Sequence, residues 1–236
     1  MQVNSNWGLK CRQDRTRVDA TGRAFAGSQR QIQTYVNEHA TEVSDAVRRC
    51  LSFSPIEIEW VSPISAFGYT EYRDGDFLRA PGLENLTHQL REFWPRGGPC
   101  WDALARIEFS DGRHGCVLVE AKSHVSEIYG NGCGASGDSF QRISRAFLRT
   151  KKWLGVAPDA DWTGKLYQSA NRYAHLYFLR MIAGIDACLA NVYFINDQHS
   201  PTTVQEWKPA IREVQRQLGL TDPVPFTGEI FLNALP

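Results

Sequence analysis

The chain has no long hydrophobic run. None of its 236 residues falls in a stretch approaching the roughly 20 apolar residues that cross a bilayer, and no apolar signal region opens the sequence. Neither a membrane partner nor export is therefore expected. Paired cysteines are missing too. Cys11, Cys50, Cys100, Cys116, Cys133 and Cys188 are scattered without a Cys-x-x-Cys, and the six histidines show no zinc spacing. This predicts reduced thiols in the cytoplasm rather than a disulfide framework or a zinc site. Net charge is absent, with 26 basic residues balancing 26 acidic ones. That counts against an extensive nucleic-acid footprint and makes local charge distribution the informative quantity. The glycine-rich segment Gly130 to Gly137 is not followed by Gly-Lys-Ser/Thr and lacks strand-turn-helix spacing, which excludes a P-loop and a dinucleotide fingerprint. No Gly-x-Ser-x-Gly elbow supports a serine hydrolase.

What is present suffices for a packed core: 42 % hydrophobic residues and 11 % aromatics. Residues 1–27 read as a basic arm carrying Lys10, Arg12, Arg15, Arg17 and Arg23, and residues 28–236 as a single α/β domain. Apolar spacing predicts a helix from Ser28, its N-cap, to Leu51. A half-exposed strand follows at Ile56–Val61, then a strand pair within Phe67–Phe77 turning at Asp74-Gly75, then a helix over Glu84–Trp94. Later come helices over Phe140–Leu154 (capped by Asp138 or Ser139) and Trp162–Ile182 (stopped at Gly184). A buried strand over Ala187–Ile195 precedes a helix over Thr202–Leu218, capped by Thr203 and disturbed by Pro209. The proline-rich tail from Thr221 to Pro236 reads as irregular.

The chemistry concentrates between Gly98 and His124. Two apolar runs flank Asp111-Gly112, the pattern of a β-hairpin. A three-residue loop, Ser110 to Gly112, pairs Phe109 with Arg113 and sets Asp102 directly opposite Glu120. With side chains alternating, Asp102, Glu120 and Lys122 then share one face. A two-residue turn would send Asp102 to the other face. Adjacent carboxylates repel unless a positive group intervenes, and a hard divalent cation serves that purpose. Lysine beside such an ion could hold or polarise its water, which is what attack on a phosphodiester needs. The competing reading is an ordinary solvent-facing hairpin. Against it stands the continuous apolar run Val117-Leu118-Val119, which predicts a strand buried on both faces.

Asp102, the hairpin, Glu120-Ala121-Lys122 and the helix that follows resemble the PD-(D/E)XK nuclease superfamily, although Trp101 rather than proline precedes Asp102. The resemblance implies a restriction-endonuclease-like core: a central mixed β-sheet flanked by α-helices. It also implies a metal-dependent hydrolase of nucleic acid. Asp102, Glu120 and the Ala121 carbonyl would bind Mg2+ or Mn2+, and Lys122 would orient the attacking water. An upstream helix often adds a glutamate; Glu38, Glu42 and Glu84 are candidates, and nothing in the sequence selects among them. Gln141 lies near the start of the following helix, with Arg142 and Arg145 placed to position substrate. That helix has no acidic residue from Ser139 to Ala157, though a basic solvent face accounts for it equally well. The implied partner is nucleic acid, DNA first, with a homodimer left open. The alternative is a catalytically inactive nucleic-acid-binding or protein-interaction module that retains the fold.

Overall fold

A computed structural model describes residue 11 and residues 16–50, 57–221 and 223–235. Most of the expected basic arm lies outside the described residues, as do Leu51 and Ile56. Three short 3-10 turns aside, thirteen elements follow in chain order among the described residues. They are α1 (Gly27–Glu38), α2 (Ala40–Cys50), β1 (Glu57–Ser62), α3 (Asp74–Arg79), α4 (Thr87–Phe93), β2 (Ala103–Glu108), β3 (His114–Lys122), α5 (Gly137–Leu154), α6 (Tyr167–Tyr177), β4 (Asp186–Ile195), α7 (Val204–Leu218) and β5 (Thr227–Asn233), with a π-helical turn, Phe178–Ile182, after α6.

The five strands stand side by side in sequence order. β1, β2 and β3 form an antiparallel meander, while β4 pairs parallel to β3 and β5 parallel to β4. Parallel neighbours need a crossover. Helices α5 and α6 supply the first and α7 the second. The result is an α/β architecture with a mixed sheet flanked by helices, as expected. Alternation along the strands separates two cores. Ala103, Ala105, Val117, Val119, Ala121 and Val192 face α1 and α2. Leu104, Cys116, Leu118 and Leu189 face the opposite side, where α3 to α7 pack. Val117, Leu118 and Val119 have no exposed surface, so β3 is covered on both faces. Burying each such side chain contributes about 1.5–3 kcal/mol.

The hairpin takes the three-residue loop. Phe109 N–H donates to the Arg113 carbonyl at 3.0 Å, and Gly112 adopts φ 79°, the left-handed conformation this loop requires. Glu108 pairs with His114 and Ala103 with Val119. The ladder ends there: Asp102, just before β2, donates its N–H to the Val119 carbonyl at 3.2 Å and so stands beside Glu120 without pairing with it.

Several expected elements differ. The single helix over 28–51 is two, because His39 leaves helical geometry (φ −131°, ψ 35°). Both pieces bury residues of one apolar period, so periodicity alone cannot see the break. The N-cap is Ala26; Ser28 instead donates its hydroxyl to Glu127. The strand pair within Phe67–Phe77 is absent. Asp74 has φ 51° and begins α3, and its carboxylate accepts the Gly97 and Gly98 N–H groups, so it anchors a loop rather than a hairpin turn. The expected helix over Glu84–Trp94 is a short 3-10 turn followed by α4. Helix α5 begins at Gly137, ahead of both proposed caps, and α6 begins five residues after Trp162. The tail is not irregular. Thr227–Asn233 alternates buried Ile230 and Leu232 with exposed Glu229 and Asn233, and closes the sheet as β5. Helix α7 runs unbroken through Pro209, its start fixed by a Thr203–Glu206 capping box.

Candidate active site at the end of strand β3

Glu120 and Lys122 lie on the α5–α7 side of the sheet at the carboxyl end of β3, and Asp102 stands beside them, just before the start of β2. Glu120 is buried at 9 % exposure. Lys122 Nζ sits 2.6 Å from Glu120 Oε1, and Arg172 on α6 donates through Nε to Oε2 at 2.5 Å. Asp102 Oδ2 accepts the Ala121 N–H at 2.7 Å, which fixes the acid against the strand extending past it. Arg172 is held on every side. Its other nitrogens donate to Asn171 Oδ1 and the Cys100 carbonyl, both at 2.9 Å, and its guanidinium lies 5.0 Å above the Trp101 ring.

A third carboxylate faces this group. Glu71 accepts a hydrogen bond from Gln29 Nε2 on α1 at 2.9 Å. Burial, with repulsion from Asp102 and then Glu120, pushes its pKa up to about 8. Asp102 is raised to about 7 by burial and by the neighbouring Glu120, against the pull of Lys122 and Arg172. Burial also raises Glu120, but Arg172 and Lys122 outweigh it and leave its pKa below the usual carboxylate value. Desolvation lowers the Lys122 pKa, yet Glu120 and Asp102 more than offset it, so the ammonium is stabilised. Burial and mutual repulsion thus raise the proton affinity of two of the three acids, and such a cluster favours added positive charge.

The remaining expected site residues lie elsewhere. Arg142 donates to the Arg91 carbonyl at 2.7 Å, and Gln141 and Arg145 stand exposed on α5; none of the three lines the cleft beside Glu120. On the same helix, Lys151 binds the Pro158 and Ala160 carbonyls, and Arg149 covers the Phe93 and Tyr177 rings. Part of the basic face therefore has structural partners. Glu38 pairs with Arg23, and Glu42 and Glu84 are exposed. The acid that faces the pair is Glu71, from a segment read as a strand. Arg172 was equally hidden, since an arginine on an amphipathic helix carries no signal of the strand it will meet.

Carboxylate oxygens of Asp102 and Glu120 are the donors a hard divalent cation takes, and the raised proton affinity of Asp102 fits that role. Both Glu120 oxygens already hold cationic side chains, so an ion must displace or share them. Among the described residues, the tightest potential ligand group, with atoms within 4.8 Å, is instead Cys11, Glu71 and Cys100. In it Cys11 and Cys100 are disulfide-bonded, with Cα atoms 6.1 Å apart across 89 residues of sequence. This corrects the expectation of reduced thiols throughout: at that separation no local motif marks the pair. Cys50, Cys116, Cys133 and Cys188 are free.

A narrow cleft, open to solvent, extends from Glu120 and Lys122 between the sheet and helices α6 and α7. No helix among the described residues is long and apolar enough to cross a membrane. No family model, curated protein or solved structure matches the chain.

Proposed function

We propose that this chain is a metal-dependent nuclease that hydrolyses phosphodiester bonds of nucleic acid. The observation that carries this reading is Asp102, held by the Ala121 N–H, beside the buried Glu120–Lys122 pair that lines an open cleft. The element order supports it: helices, a meander whose second hairpin bears the acids, crossover helices and a parallel strand. Asp102, Glu120 and the Ala121 carbonyl would hold Mg2+ or Mn2+, which polarises a phosphoryl oxygen and acidifies water. Lys122 offers N–H donors to orient that water and to offset charge growing on the phosphate. Arg172 keeps Glu120 ionised and fixed in place.

One observation favours a second reading, a catalytically inactive nucleic-acid-binding or protein-interaction module. Glu120 is satisfied by Lys122 and Arg172 without any ion. Cleavage of plasmid and single-stranded DNA with Mg2+ or Mn2+, against an EDTA blank, tests the choice. Asp102→Ala and Lys122→Ala should each lower the rate by about 10²-fold or more. Equal trace activity in wild type and variants removes catalysis and leaves the inactive module.

A further inference from the structure

Beside the crowded acids lies a second cluster with different chemistry. Sulfur atoms of Cys11 and Cys100 and a carboxylate oxygen of Glu71 lie within 4.8 Å of one another, each residue half-buried. The disulfide is not all that brings them together. The Cys11 N–H donates to the Glu71 carbonyl at 3.3 Å, and Tyr72 bridges Trp101, whose N–H donates to the Tyr72 carbonyl at 3.1 Å. Backbone contacts of all three residues or their chain neighbours therefore outlast the S–S bond. The Glu71 side chain is already placed. Oε1 accepts from Gln29 Nε2 at 2.9 Å, and Oε2 stands 3.8 Å from Cys100 Sγ, a disulfide sulfur with no proton to offer it. This donor set differs from that at Glu120. Thiolate sulfur selects zinc, whereas carboxylate oxygens alone suit magnesium or manganese.

We propose that Cys11, Cys100 and Glu71 form a redox-gated zinc site: a thiol reductant opens the disulfide, and the two thiolates with Glu71 Oε2 then hold one Zn2+. The proposal stands apart from the nuclease reading, whose ion is hard and belongs at Asp102 and Glu120.

Distances permit the exchange. Zinc takes thiolate at about 2.3 Å and carboxylate at about 2.0–2.2 Å, so a tetrahedral site needs sulfurs about 3.8 Å apart and sulfur to oxygen about 3.5 Å. Both separations fall inside the 4.8 Å that already encloses the three atoms. With Cα atoms 6.1 Å apart, side-chain rotation alone carries the sulfurs from one bridge to the other. Three protein ligands leave the fourth position to water. The chemistry balances. Two reductant thiols leave joined as a disulfide and pass their protons and electrons to the two cysteines. Each cysteine thiol then loses its proton to solvent as it binds the ion. In either closed state residue 11 stays tied to residue 100, just ahead of β2. Reduced and without zinc, that tie is gone.

Cobalt serves as a coloured stand-in for zinc. The full chain is reduced with a phosphine, which takes oxygen from water and adds no competing thiol, and is titrated with Co2+ without air. The reduced chain should develop a thiolate-to-cobalt charge-transfer band in the near ultraviolet, saturating at one Co2+ per chain and bleached by Zn2+. The oxidised chain should show none. Oxygen ligands at Asp102 and Glu120 give no such band. Cys11→Ser should lose half of it or more. Glu71→Gln should keep the band but bind Co2+ about ten-fold more weakly or worse, since losing even an outer-shell partner costs that much. Replacing the free Cys50 and Cys133 by serine should change nothing. No band in reduced wild type, an equal band in the oxidised chain, a full band in Cys11→Ser or unchanged affinity in Glu71→Gln overturns the proposal and leaves a structural disulfide only.

Discussion

Arg172 and Glu120 meet at 2.5 Å from positions 52 residues apart, one on a crossover helix and the other on the central strand. Both are buried. The contact joins α6 to β3, and through the Cys100 carbonyl it also ties α6 to the approach to β2. Removing the arginine leaves the buried Glu120 with Lys122 as its remaining cation. Arg172→Met should therefore destabilise the fold by about 3–5 kcal/mol. Arg172→Lys should recover part of the loss, since it restores charge without the planar fork or the Trp101 stack. Urea denaturation measures both. A change below about 0.5 kcal/mol for Arg172→Met would show that the contact is not structural.

The crowded acids give stability an unusual pH dependence. Folded Asp102 titrates near about 7 and Glu71 near about 8, both above their unfolded values. Between roughly pH 4 and pH 8 the folded state binds more protons than the unfolded one, so their contribution is full below pH 4 and fades as pH rises. Glu120 has the opposite sign. Its lowered pKa stabilises the fold above the unfolded value, and this is lost in acid. In EDTA the melting temperature should peak near about pH 5 and fall toward pH 8.5. Asp102→Asn should flatten the fall. On the nuclease reading, Mn2+ at pH 8 should raise the melting temperature of wild type more than that of Asp102→Asn. A flat wild-type profile over this range counts against the crowded arrangement.

The placement of Asp102 depends on the hairpin loop, and the loop depends on Gly112. A side chain there has open space around it, so the penalty is conformational alone. At φ 79°, Gly112→Val should cost about 1–2 kcal/mol, whereas Gly112→Asn should be milder. If the valine variant instead shifts the register, Asp102 moves away from Glu120 and, on the nuclease reading, cleavage drops without a matching loss of secondary structure. Circular dichroism beside the cleavage assay separates the two results.

Local chemistry was readable wherever it is written locally. The Asp-Gly loop determines which residues of β2 and β3 pair, and that register carried Asp102 to Glu120 with no knowledge of the rest. The capping box at Thr203 and the apolar run of β4 are equally self-contained. What escaped depends on distant partners. Arg172 and Glu71 reach the site only through the crossover and the packing of α1, and Cys11 finds Cys100 across 89 residues. Strand β5 was obscured by Pro223 and Pro225 just ahead of it, although its own alternation of Ile230 and Leu232 is plain. Asp74-Gly75 misled because an aspartate at positive φ can anchor a loop as well as turn a hairpin.

The hairpin that brings the two acids together is contiguous in sequence, while the arginine that quiets them belongs to a later crossover. On the ribosome, at about 5–20 residues per second, Glu120 emerges roughly three to ten seconds before Arg172. Until α6 arrives, the young hairpin carries its carboxylates against each other with only Lys122 nearby. Completion of this corner is therefore a late event in biogenesis, and a chain cut short before α6 should leave its central hairpin unsettled.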